Sequence, residues 1–228
     1  MERYNLVSFA GLFVLMFLAW TLSAHRKVFN LRVVFWGVVV QLAFGAFIFL
    51  VPASSKVFLF FSDTVVKMLQ AARAGAQFCF GFLSIPTGES GSPGFILAFQ
   101  GLTTVVFFAT LMEILYFLRV MPFLIKLFAR FFTWLMNVSG AEALCVSSNI
   151  FVGIESTTTI LPYISRMTRS EICTILTAGF ATIASTVLGL YVMLLQQHFP
   201  QIAGHLISAS LLSAPAALVM SKLILPET

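Results

Sequence analysis

From Tyr4 to Ala24 the chain carries no charged side chain, and from Val33 to Val51 it again carries none. Runs of that length are what an α-helix needs to cross the hydrocarbon core of a bilayer, about 30 Å at about 1.5 Å per residue. Further apolar stretches follow at Pro93–Leu118, Ser170–Leu195 and His205–Leu225. Inside a bilayer every backbone amide must find its partner within the protein, so such segments end as helices or as closed β-barrels. These runs are continuous in Leu, Phe, Val and Ala and lack the period-2 alternation of a barrel. Only 9% of the residues are charged, against about a quarter in a soluble domain. The chain is therefore read as an all-α integral membrane protein whose first partner is the lipid bilayer.

The remaining charges lie at the edges of the runs. His25, Arg26, Lys27 and Arg32 crowd the first connection. Lys and Arg concentrate on the cytoplasmic side, which places this loop inside and the N-terminus outside. The same rule absorbs the formal net charge of +5, so no nucleic-acid partner is expected. The opening MERYNLVSF lacks a basic n-region and a small-x-small cleavage site, and reads as the start of the first spanning helix. Cys79, Cys145 and Cys173 show no metal-ligand spacing and are expected as small buried hydrophobes. No nucleophile–base pair or metal set marks an enzyme.

Two segments have helical periodicity with a charged face. In Val57–Phe80 the residues Phe58, Phe61, Val65, Met68, Leu69, Ala72 and Ala76 share one side, and Asp63, Lys67, Gln70 and Arg73 the other. That pattern predicts an amphipathic helix lying in the interface. Arg119, Lys126 and Arg130 likewise share a face and predict a second interfacial helix over 119–138. Ser84–Pro93 reads as a loop. Glu113 is expected to snorkel to the membrane edge or to pair there with Arg119, with a role in coupling or gating as the alternative.

Gly140–Pro162 breaks the apolar pattern. It is small and polar and holds Glu142 and Glu155, with basic residues on both flanks. About 25 residues cannot cross twice as full helices, so the segment is expected as a re-entrant hairpin over 140–164. Irregular polar backbone at membrane depth is tolerated only inside protein or along a wet cavity, and ionisable groups there mark function. Glu142 is expected in the first turn of a helix, stabilised by its dipole. Gly179–Val187, small and hydroxyl-rich, predicts a break within a helix spanning 168–197, exposing carbonyls. A last spanning helix is expected over 205–225.

Several of these motifs, in this order, resemble the concentrative nucleoside transporters: Gly140-Ala-Glu142, Asn149-Ile-Phe-Val-Gly153, Pro162-Tyr163, Met167-Thr-Arg-Ser-Glu171, Gly179-Phe-Ala-Thr-Ile-Ala184 and Leu211-Leu-Ser-Ala-Pro-Ala216. The resemblance implies scaffold helices over 1–118 and the first of two inverted transport repeats over 119–228, so that the chain corresponds to the N-terminal half of such a transporter. It implies cation-coupled transport of nucleosides by alternating access, with Na+ or H+ as coupling ion, in a cell inner or plasma membrane, as a homotrimer. The alternative is a half-transporter, or a truncated fragment, that needs a second chain for a complete site. Carried over, Asn149 and Thr182 would offer side-chain oxygens to sodium, and Val152 and Ile183 main-chain carbonyls. Glu155 would accept hydrogen bonds from the nucleobase and Val187 would pack against it. The family's usual Gly-Gln-Thr-Glu-Ala-Pro is here Gly153-Ile-Glu-Ser-Thr-Thr158, one residue shorter before Pro162, so Ile154 and Ser156 stand where the base edge is usually read.

Overall fold

The computed structural model describes residues 2–28, 30–50, 52–196 and 198–227, and these are helical with no strand. The helices are α1 (Glu2–Thr21), α2 (Leu31–Leu50), α3 (Pro52–Phe80), α4 (Leu102–Phe117), α5 (Val120–Met136), α6 (Gly140–Val152), α7 (Arg169–Ala181), α8 (Ser185–Leu195) and α9 (Ile202–Ile224). Gly153–Arg166 winds as 3₁₀ turns between α6 and α7. Among the described residues four segments are long and apolar enough to cross a membrane: Leu31–Ile48, Leu97–Phe117, Arg169–Leu195 and Ile202–Ile224. Helix α6 has 13 residues, about 20 Å at about 1.5 Å per residue. It is too short to span, and the chain returns beside it through Gly153–Arg166, which makes the pair the re-entrant hairpin.

Helix α9 is the hub, packing on α1, α2, α3, α6, α7 and α8. Its Ser208, Ser210, Ala214 and Ala217 are buried. Between helices in lipid there is little hydrophobic drive, and small side chains let backbones approach closely. At the crossing with α2, a methyl on Gly37 would lie 2.1 Å from Val219 Cγ2. The main core gathers Val33 of α2, Phe132 and Met136 of α5, Val146 of α6, Ala178 of α7 and Leu218 of α9. A second core joins Leu69, Phe108, Val192 and Ala203, from α3, α4, α8 and α9.

Several expectations shift. Helix α3 starts at Pro52 and is continuous to Phe80. Leu69, Ala72 and Ala76 are buried while Asp63, Lys67 and Gln70 are exposed; the side chains of Phe58 and Phe61 lie outside the described residues. Cys145 is buried, but Cys79 is exposed and Cys173 only half-buried; Cys79 lies in the last turn of α3, beyond the buried Leu69, Ala72 and Ala76. The segment from Pro93 becomes helical only at Leu97, through a widened turn, Leu97–Gly101. There the Gln100 side chain donates to the Ile85 and Gly94 carbonyls at 3.0 and 2.8 Å, which holds the loop chain back from the helix. Glu113 does not pair with Arg119. Among the described residues the ion pairs are those of Lys222 with Glu142 and Glu227, and Arg119 turns the chain away from α4 at φ 61°.

Candidate functional site at the hairpin and the helix break

Both arms that build the site begin with the same local device. Ser139 caps α6, accepting from the Glu142 amide at 3.3 Å, while Glu142 Oε2 accepts from the Ser139 amide at 3.1 Å. Thr168 and Glu171 repeat the arrangement at α7, at 3.2 and 2.8 Å. Each Ser/Thr-x-x-Glu satisfies two amide donors that a helix N-terminus otherwise leaves unpaired.

The two helices then run side by side to their broken ends. Helix α7 stops because Thr182 and Ala184 are extended, at φ/ψ of −121°/155° and −62°/139°. The last four carbonyls of a helix have no donor within it. The first of these, Ala178, is taken by side chains: Asn149 Nδ2 donates to it from α6, and Thr182 Oγ1 donates to it at 3.1 Å. Asn149 and Thr182 thus share one acceptor, and Asn149 Oδ1 and Thr182 Oγ1 keep lone pairs that can accept. Asn149 Oδ1 also receives the Ser156 hydroxyl at 3.4 Å, and Ser156 lies 3.8 Å from the Cys145 sulfur. Asn149, Ser156 and Val152 are buried; Thr182, Ile183 and Val187 are half-buried. Amide, hydroxyl and carbonyl oxygens of this kind are donors suited to a hard cation.

The hairpin tip meets the break through backbone. Gly153, at φ 78° and ψ −151°, ends α6 with its amide on the Asn149 carbonyl. A Cβ there would lie 2.4 Å from Ala184 Cα. Of the residues singled out from sequence, the structure thus brings Asn149, Val152, Ser156, Thr182 and Ile183 to one junction, with Val187 in the first turn of α8. The side chains of Ile154 and Glu155 lie outside the described residues.

Sequence reasoning missed the polar cluster at the other end of α6. Glu142 is fully buried, and its Oε1 pairs with Lys222 of α9 at 2.5 Å and accepts from Thr174 Oγ1 at 2.8 Å. Lys222 also donates to Ser170 at 3.0 Å and to Glu227 at 2.8 Å, and the Thr174 and Ser221 hydroxyls are 3.0 Å apart. Glu142 is therefore more than a first-turn carboxylate. The signal was Lys222 itself, a lone cation in an apolar helix, which calls for a buried acid partner.

Residues 10–83 match the family described as Na+ dependent nucleoside transporter N-terminus, and residues 98–197 the one described as Nucleoside recognition. Sodium/nucleoside cotransporter 2 of Rattus norvegicus is 37% identical over 224 residues, which are 98% of this chain and 32% of the relative. Solute carrier family 28 member 3 of Mus musculus is 38% identical over 227 residues, 99% of this chain and 30% of the relative. Among solved structures, CNTnw in an inward-facing substrate-bound state superposes with a TM-score of 0.89 at 35% identity, covering 98% of this chain and 54% of that one. A doubly substituted CNTnw in an outward-facing state gives 0.90 at 34% identity, covering 100% and 54%. The chain spans about a third of the length of these curated relatives and about half of the solved ones.

Proposed function

The chain belongs to the concentrative nucleoside transporter family, and we propose that it works as one: a sodium-coupled symporter that moves nucleosides across a cell inner or plasma membrane by alternating access. The observation that carries this reading is the junction of two broken helical elements. Asn149 from the hairpin and Thr182 from the helix break both reach the Ala178 carbonyl. Broken helices that meet at membrane depth are where secondary transporters hold ion and solute.

In this reading sodium is cargo and coupling ion. Asn149 Oδ1 and Thr182 Oγ1, with the Val152 and Ile183 carbonyls, are its ligands. Ser156, which touches Asn149, sits between the ion and the solute. Glu155 accepts from the nucleobase, with Ile154 and Val187 as its apolar contacts. The exchange of a polar residue for Ile154 removes a hydrogen-bonding group from the tip. A site that loses such a group changes its discrimination by orders of magnitude when a polar partner is left unpaired, so base preference is expected to differ from that of relatives with the usual tip. The protein is proposed to act as a homotrimer, and to be a carrier rather than an enzyme.

The test is uptake of labelled uridine and adenosine into proteoliposomes under a sodium gradient, against a proton gradient alone. Sodium dependence is expected, and Asn149→Ala and Glu155→Gln are each expected to abolish it; unchanged uptake in both would remove the site assignment. The chain spans about half of the solved relatives, so this chain alone is compared with this chain co-expressed with the part of a solved relative that it does not cover. Uptake only by the latter favours the second reading, in which this chain supplies part of a site completed elsewhere.

A further inference from the structure

Helices α6 and α7 are joined by two rungs. The lower is Glu142 to Thr174 at 2.8 Å, the upper Asn149 to the Ala178 carbonyl. Glu142 and Asn149 are separated by about two turns on α6, and Thr174 and Ala178 by about one on α7, so each pair shares a helix face. The lower rung is locked from α9. Lys222 pairs with Glu142 at 2.5 Å and reaches Ser170, in the first turn of α7, at 3.0 Å. Thr174 meets Ser221, the neighbour of Lys222, at 3.0 Å. All five side chains are buried. A buried ion pair is weak evidence for stability, because desolvation offsets its attraction, and fixing geometry is a better-attested use. Nothing in the cation or nucleoside assignment uses this cluster.

We propose that Lys222 is a positioning residue for the cation site. Through Glu142 and Thr174 it fixes how far α6 stands along α7, and so the separation at which Asn149 and Thr182 present their oxygens. The inference rests on the assignment of those two residues to sodium. Groups that orient ligands without touching the ion typically alter ion affinity by about 10- to 100-fold.

The experiment uses the purified protein. Sodium is titrated by its thermal stabilisation of the nucleoside-free protein, and uridine KM is measured at saturating sodium. Lys222→Met is expected to raise the sodium midpoint about 10-fold or more with uridine KM little changed, and Lys222→Arg to restore much of the loss. Thr174→Val keeps the ion pair and removes the rung together with the Thr174 hydroxyl's contacts to Ser221 and the Ser170 carbonyl. It is expected to shift sodium in the same direction, and it carries the test if Lys222→Met does not fold. Wild-type sodium midpoints in Thr174→Val and in folded Lys222→Met overturn the proposal, as does an equal loss for sodium and uridine, which marks a general structural role. A wild-type protein that does not respond to sodium overturns the sodium assignment itself, and this inference with it.

Discussion

A methyl group on Gly153 would lie 2.4 Å from Ala184 Cα and 2.8 Å from the Ala184 amide nitrogen. The tip of the hairpin and the break between α7 and α8 therefore touch backbone to backbone. Gly153 also adopts φ 78° and ψ −151°, a region open almost only to glycine. Gly153→Ala is expected to lower stability by about 1–3 kcal/mol from the backbone alone, with a further overpacking cost of about 1–3 kcal/mol. Thermal unfolding of the purified variant measures the sum. A melting temperature equal to wild type would mean the tip does not seat on Ala184 in the working protein.

How much of this was legible in the sequence differs by level. The helical membrane architecture follows from uncharged runs such as Val33–Val51, since solvation in lipid leaves so few alternatives. The break at Thr182–Ala184 was legible too, because small and hydroxyl residues in mid-span weaken a helix. What joins the elements was not. The acceptor that gathers Asn149 and Thr182 is a main-chain carbonyl, that of Ala178, and a carbonyl has no side-chain signature. Lys222 looked like an ordinary cation at the inner end of a helix; its acid partner lies on α6, and only tertiary packing joins them. Gln100 widens the first turn of its helix by bonding back to Ile85 and Gly94, a choice that helical periodicity does not record.

The α2–α9 crossing gives a second prediction. A Cβ on Gly37 would lie 2.1 Å from Val219 Cγ2 and 3.0 Å from Met136 Cε. Gly37→Ala is expected to cost about 1–3 kcal/mol by overpacking. The added Val219→Ala removes the nearer obstacle, so the double variant is expected to melt above Gly37→Ala alone. Contacting residues couple in this way by about 0.5–3 kcal/mol. A cycle with no coupling would show that the two helices separate to accommodate the methyl group.

Removing one charge of the buried pair should be far more damaging than removing a carboxylate nearer the surface. In Glu142→Ala, Lys222 loses its 2.5 Å partner, and the Thr174 hydroxyl and Ser139 amide lose an acceptor. Breaking a buried pair from one side costs about 3–5 kcal/mol, whereas replacing both members with apolar residues of similar volume is often neutral. Glu142→Leu with Lys222→Met is therefore expected to recover most of the stability lost in Glu142→Ala. Glu171→Ala, at the matching cap of α7, is expected to cost under about 1 kcal/mol. Denaturant titration of the four proteins in detergent tests the ranking. Equal losses at Glu142 and Glu171 would mean the α6 pair is hydrated.

The strap after α9 should make stability depend on acid pH. Glu227 accepts from Thr168 Oγ1 at 2.9 Å and from Lys222 at 2.8 Å. Burial pushes its carboxyl up, but the Lys222 and Thr168 hydrogen bonds and the Lys222 charge outweigh that and hold it below the ordinary range. As pH falls, the unfolded chain then takes up the Glu227 proton before the folded one does, so unfolding is favoured. The stabilisation is complete above the unfolded carboxyl value of about 4.3 and is lost as pH drops through the lower folded value. Glu227→Gln has no charge to lose. Its melting temperature is expected to lie below wild type at pH 7, and the gap to close as the pH falls below about 4.3. A gap that persists unchanged to lower pH would show that the bond to Lys222 does not depend on the carboxylate charge.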